Sequence, residues 1–234
     1  MKNFVLPALL WSLALVPALA QTTDAQVRPV APFHAIKVGT GIALDLTAGH
    51  GQRVEASAAT TEMRDRIKTT VEDGVLVIRY ENPDSDTRRN TSTQHLRVAV
   101  TADQLTALTA GSGAAVDAKG DYAAPNFQLD VSSGASLRAD IATTDLTVRQ
   151  GSGSVITLKG KAPHLDIRTG SGSVFNGKDL QTDKCEAQAS SGSTLKIAVR
   201  EALVAEASSG ASIKYQGAPT VTKHTGSGGS VRSM

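Results

Sequence analysis

Aromatic side chains make up only 3% of the chain, and Trp11, the single tryptophan, lies in the first apolar stretch. So few rings argue against the stacking platforms that hold nucleic-acid bases. Cys185 is the lone cysteine, so no internal disulfide staples the fold. Charge of one sign is lacking as well: 24 Lys and Arg stand against 22 Asp and Glu. That near-balance does not imply a nucleic-acid partner. The five histidines, His34, His50, His95, His164 and His224, show no metal-ligand spacing. Neither a P-loop nor a complete dinucleotide fingerprint occurs, and no cofactor is expected.

What is abundant is Ser and Gly in a fixed arrangement. The copies are Gly111-Ser112-Gly113, Ser132-Ser133-Gly134, Gly151-Ser152-Gly153, Gly170-Ser171-Gly172, Ser190-Ser191-Gly192, Ser208-Ser209-Gly210 and Gly226-Ser227-Gly228. Successive third-position glycines lie 21, 19, 19, 20, 18 and 18 residues apart. A near-constant step of this size predicts a solenoid, one coil per repeat.

Apolar residues flank each copy at odd offsets. Leu146/Val148 and Leu165/Ile167 precede the glycine by seven and five residues, and Ile156/Leu158 and Leu195/Ile197 follow it by three and five. Period two means β-strands with one parity inside. The middle Ser shares that parity and is expected to form an inward hydroxyl ladder; the Gly beside it supplies the freedom of a tight corner. Cys185 takes the inward slot that Leu165 holds one coil earlier and reads as a small core residue, not a reactive thiol. A flexible linker, the usual reading of Gly-Ser runs, would not carry Leu, Val and Ile at fixed offsets.

Upstream, Lys2, the apolar run from Phe4 to Leu19 and Ala18-Leu19-Ala20 predict a signal peptide over residues 1–20. Pro7, Pro17 and its shortness argue against a membrane span, so no integral membrane segment is expected after cleavage. Cleavage would leave 23 basic and 22 acidic groups, since Lys2 is the only charge removed. Residues 21–32 read as a disordered leader. A single β-solenoid domain is expected over 33–234, divided into an N-terminal cap (33–109) and the repeat coils (110–234). Within the cap, Ile42 to Leu46 and Arg53 to Ala56 read as two strands joined by Gly49-His50-Gly51. Thr60 to Ile67 reads as a short capped helix, and Val71 to Ile78 as a hairpin with Asp73-Gly74 at its bend. Asn82 to Gln94 reads as a mobile loop.

Chemistry is sparse. The Gly-rich turns contain no acidic residue, which excludes a calcium β-roll. Asp130, Asp145, Asp166 and Glu186 are the carboxylates for a polysaccharide-cleaving site, but no stacked acidic pair is expected, nor an Asp placed to orient His164 or His224. The outward position four residues after the glycine reads Asp117, Arg138, Thr157, Asn176, Lys196, Lys214 and Arg232. With Arg149 and Arg168, stacked four residues before it, these cations form the candidate face for an anionic ligand such as an envelope polysaccharide or lipopolysaccharide. The opposing reading is an ordinary solvated surface.

Taken together, Phe33-His34-Ala35-Ile36-Lys37-Val38, the Asp73-Gly74-Val75-Leu76-Val77-Ile78 hairpin, and Leu105 leading into the Ser-Gly cassettes resemble the auto-transporter adhesin family with the head GIN domain. The resemblance covers nearly the whole chain after residue 20. It implies a β-helical fold outside the cytoplasm and transfers no catalytic residue.

The reading is therefore an all-β, single-stranded solenoid, right-handed by the usual crossover rule, with a β-rich cap carrying one helix. The function expected is an exported, non-enzymatic binding or adhesion module, periplasmic or at the cell surface. A polysaccharide-active enzyme and a purely structural envelope protein are the alternatives. Its partner would be an envelope polymer or another protein, and an uncovered last coil near Ser230 could pair with a second copy.

Overall fold

The computed structural model describes residues 25–81, 95–120 and 124–234. The signal peptide and the Asn82–Gln94 segment lie outside the described residues. From residue 107 onward every coil is a strand, a Ser-Gly turn and a second strand. The first strands are β8 (Ala107–Ala110), β10 (Asn126–Val131), β12 (Asp145–Gln150) and β14 (His164–Thr169). The second strands are β9 (Ala115–Lys119), β11 (Ser136–Ala142) and β13 (Val155–Lys161). β15 (Val174–Ala189) and β16 (Thr194–Ala207) each run through two sides of the coil, and β17 (Ser212–Gln216), β18 (Thr220–Thr225) and β19 (Ser230–Ser233) follow.

Each strand pairs in parallel with its equivalent one coil away, residue on residue apart from register shifts after Thr157 in β13 and after Gly177 and Thr182 in β15. Leu129, Val148, Ile167, Ala187 and Ala205 form one inward column, and Leu137, Ile156, Phe175, Leu195 and Ile213 another. The result is a β-solenoid of about seven turns. These side chains are buried from the first repeat to the next-to-last, and Leu165, Ile167 and Phe175 each stabilise by about 1.5–3 kcal/mol through burial. Cys185 lies in the same core, 3% exposed.

The N-terminal segment is not a separate sheet laid over the first coil. β2 (Ala35–Val38) pairs in parallel with β8, setting Ile36 against Leu108, and β3 (Ala43–Ala48) pairs in parallel with β9, setting Leu44 against Val116. Residues 35–48 are therefore a coil of the solenoid, turned by Gly39-Thr40-Gly41. Outside it lie β6 (Val75–Tyr80) on β2 and β7 (Arg97–Ala102) on β3, again in parallel. In space the coils run β6/β7, β2/β3, β8/β9, although the chain makes the middle one first.

The stack is closed by antiparallel strands. β5 (Ile67–Glu72) pairs with β6 through the Asp73-Gly74 bend, and β4 (Arg53–Ser57) pairs with β7. The expected β3–β4 pair is thus absent, because β7 lies between them. Helix α1 (Thr61–Asp65) is shorter than expected, Thr60 accepting at its start from the Met63 amide (3.2 Å) and Ile67 already belonging to β5. The leader is also corrected. Gln26–Arg28 forms β1, antiparallel to β4, and the Arg28 guanidinium donates to the Arg64 carbonyl (3.0 Å). β4 needs a partner on its outer edge, and the alternating segment before Phe33 supplies one.

The turn serines point outward, against expectation. Ser112, Ser133, Ser152, Ser171, Ser191 and Ser209 have φ between 48° and 52°, Ser227 has 25°, and the glycines after them lie between 68° and 75°. Two successive positive φ values are those of a type I′ turn, which carries the middle residue out of the strand's alternation. All seven serines are exposed. The inward residue is the one after the glycine: Ala114, Ala135, Ser154, Ser173, Ser193 and Ala211 are buried. A ladder does run through the turns, but in the backbone. The amides of Gly113, Gly134, Gly153, Gly172, Gly192 and Gly210 each donate to the middle serine's carbonyl in the next coil, at 2.9–3.1 Å.

Candidate functional site

The solenoid exposes two long faces. On the face of β9, β11 and β13, one column runs Asp45, Asp117, Arg138, Thr157, Asn176, Lys196, Lys214, Arg232, each a register partner of the next. The column is acidic at Asp45 and Asp117, carries one cation at Arg138, is neutral at Thr157 and Asn176 and is basic at its end. Its acidic part is matched: Arg97 pairs with Asp45, and Lys119 with Asp117 at 3.0 Å. The hydrogen bond and charge of Asp45 raise the Arg97 guanidinium above its ordinary pKa. The basic end has no such match. Among the described residues no carboxylate pairs with Lys196, Lys214 or Arg232, and no Asp or Glu follows Glu206 in the chain. Lys196 and Arg232 are exposed; Lys214 keeps part of its stem covered.

Arg149 and Arg168 are register partners on the other face. Asp130 precedes them in the column, Gln188 and Glu206 follow, and Arg168 reaches Asp166 at 3.5 Å. That pair is embedded in mixed charge. Arg138 stands alone between Asp117 and Thr157. The six cations anticipated from sequence therefore divide, and only Lys196, Lys214 and Arg232 are contiguous.

Two arrangements escaped the sequence reading. Asp145 and His164 hold the same slot in successive coils, with Oδ1 and Nδ1 2.9 Å apart. Asp166 and Glu186 are likewise direct partners, so a stacked acidic pair exists where none was expected. The signal was available, since both stand six residues before their glycines. Both arrangements line a shallow depression of about 280 Å³ together with Lys184 and Val204. No thiol can serve there: Cys185 faces the core, and burial, with smaller contributions from Asp166 and Glu186, pushes its pKa far up. Among the described residues no group of three or more His, Cys, Asp or Glu side chains could hold a metal, and no helix is long and apolar enough to cross a membrane.

A family model described as "Putative auto-transporter adhesin, head GIN domain" matches residues 32–219. Three solved structures share the fold. A putative adhesin from Bacteroides fragilis is 17% identical with a TM-score of 0.79, covering 92% of this chain and 98% of its own. A putative lipid binding protein from Parabacteroides distasonis is 13% identical at 0.70 (92% and 98%), and a putative adhesin from Parabacteroides merdae is 16% identical at 0.70 (92% and 97%). No curated protein matches.

Proposed function

The chain belongs to the auto-transporter adhesin, head GIN domain family, and on that premise we propose that it is an exported, non-enzymatic binding module of the bacterial cell envelope. One observation carries the reading: on both faces equivalent positions of successive coils stack in register, so an outward position set once in a coil recurs along the axis. Such a surface suits an extended partner better than a small substrate that needs a deep, enclosing cleft. The partner class is an envelope polysaccharide, a lipopolysaccharide or a surface protein. Adhesin-named relatives support a surface or exported setting, and the Lys2 to Ala20 segment supports export.

The Asp166–Glu186 pair beside His164 favours a second reading, a polysaccharide-cleaving enzyme. One experiment separates them. Purified protein is sedimented with isolated cell envelopes while released reducing ends are assayed. Saturable co-sedimentation without product supports the binding module; product that disappears in Asp166→Asn and Glu186→Gln variants supports the enzyme. Failure to sediment, with no product, supports a structural role instead. Fractionation of the producing cells and a mass beginning at Gln21 test export.

A further inference from the structure

Resting on the binding-module reading, we infer that the last coils carry a recognition ladder for a linear carboxylated polysaccharide, laid along the solenoid axis over Lys196, Lys214 and Arg232. The three are consecutive register partners, at a strand spacing of about 4.8 Å. Like charges directly opposite one another on paired strands are destabilising. At the acidic start of the same column the charge is answered from within the protein, by Arg97 on Asp45 and by Lys119 on Asp117. In the ladder it is not, so an external anion removes a repulsion that the fold leaves standing.

The surroundings point the same way. Residues 207–234 contain Lys214, Lys223 and Arg232 and no Asp or Glu, so their charged side chains are of one sign. Beside the ladder stand Thr194, Ser212 and Ser230 on one side and Ala198, Gln216 and Met234 on the other. The Thr194 and Ser230 hydroxyls beside them can donate to and accept from sugar hydroxyls, whereas the Ser212 hydroxyl is buried.

The ladder is one residue wide, which fits a single polymer strand better than a planar membrane. A polyuronide carries one carboxylate per sugar, so neighbouring cations meet successive charges of the same chain. Each exposed ion pair is weak alone. Linked in one strand, the contacts reinforce one another through effective concentration.

Calorimetry with galacturonate, trigalacturonate and hexagalacturonate, at low and high salt, tests this. The hexamer should bind about tenfold or more tightly than the monomer and weaken at high salt. A Lys196→Gln/Lys214→Gln/Arg232→Gln variant should lose about tenfold or more in affinity, and Arg149→Gln/Arg168→Gln, on the other face, should lose nothing. Circular dichroism of both variants should match the wild-type β signal. Equal affinity for monomer and hexamer, full affinity in the triple variant, or capture of phosphatidylglycerol vesicles without hexamer binding would each overturn the inference. If the triple variant still sediments with envelopes as the wild type does, the ladder is refuted while the binding-module reading stands. If the wild type itself does not sediment, that reading fails first.

Discussion

Ser154 and Ser173 occupy the same buried slot one coil apart, yet their hydroxyls fare differently. Ser154 Oγ lies 2.9 Å from the Val131 carbonyl and 2.8 Å from that of Gly151, whereas Ser173 Oγ, equally buried, has no hydrogen-bond partner among the described residues. An unsatisfied buried hydroxyl gives back nothing for its desolvation. Ser154→Ala should therefore destabilise by about 1 kcal/mol or more, and Ser173→Ala should be neutral or stabilising. Urea titrations of the two variants check this; equal losses would refute it.

Glycines separate in the same way. A Cβ at Gly172 meets nothing within 4 Å, so only its φ of 68° resists substitution. At Gly217, with φ 107°, a Cβ would overlap the Val199 carbonyl of the preceding coil. Gly172→Ala should cost about 1–2 kcal/mol, from the left-handed backbone alone. Gly217→Ala adds a steric overlap and should cost about 3 kcal/mol or more. Thermal melts of both variants rank them.

Cys185 makes stability depend on pH. Its thiol stays protonated in the fold because burial raises its pKa from 9.0, while the unfolded chain ionises near that value. Above pH 9 the unfolded state thus holds fewer protons, and stability falls as pH rises, by up to about 1.4 kcal/mol per unit. Below pH 9 the contribution is fully present. The urea midpoint should drop between pH 8.5 and 10.5, and a Cys185→Ala variant should lack that part of the slope. A thiol reagent should leave the native protein unmodified and label it in denaturant.

Coils in the repeat region should be removable, but not the one made first. Deleting residues 154–172 joins Gly153 to Ser173 one step of 19 residues later, at the same offset. The shortened chain should keep its β circular-dichroism signal per residue, since each coil contacts only its neighbours. Deleting 33–48 removes the coil between β6/β7 and β8/β9 and should abolish folding. A folded product from the second deletion would contradict the interleaved topology.

Much of this protein was legible without coordinates. The step between glycines, together with Leu, Val and Ile at odd offsets, implies stacked β coils, because period two admits only one buried face and a constant step aligns it from coil to coil. The Lys196, Lys214, Arg232 column followed from the same arithmetic, and the three are consecutive register partners. Other facts needed the tertiary structure. Gly39-Thr40-Gly41 is an eighth turn, its Gly41 amide donating to the Ser112 carbonyl (3.0 Å), but 72 residues separate Gly41 from Gly113 and hide the period. Outward-facing serines could not be inferred from parity, because two positive φ values in succession break the alternation that parity assumes. Which charges are left without a partner was likewise decided in space. Arg97 and Lys196 look alike along the chain, each without a carboxylate two residues away, and only stacking gives one its Asp45 partner and leaves the other beside Lys214.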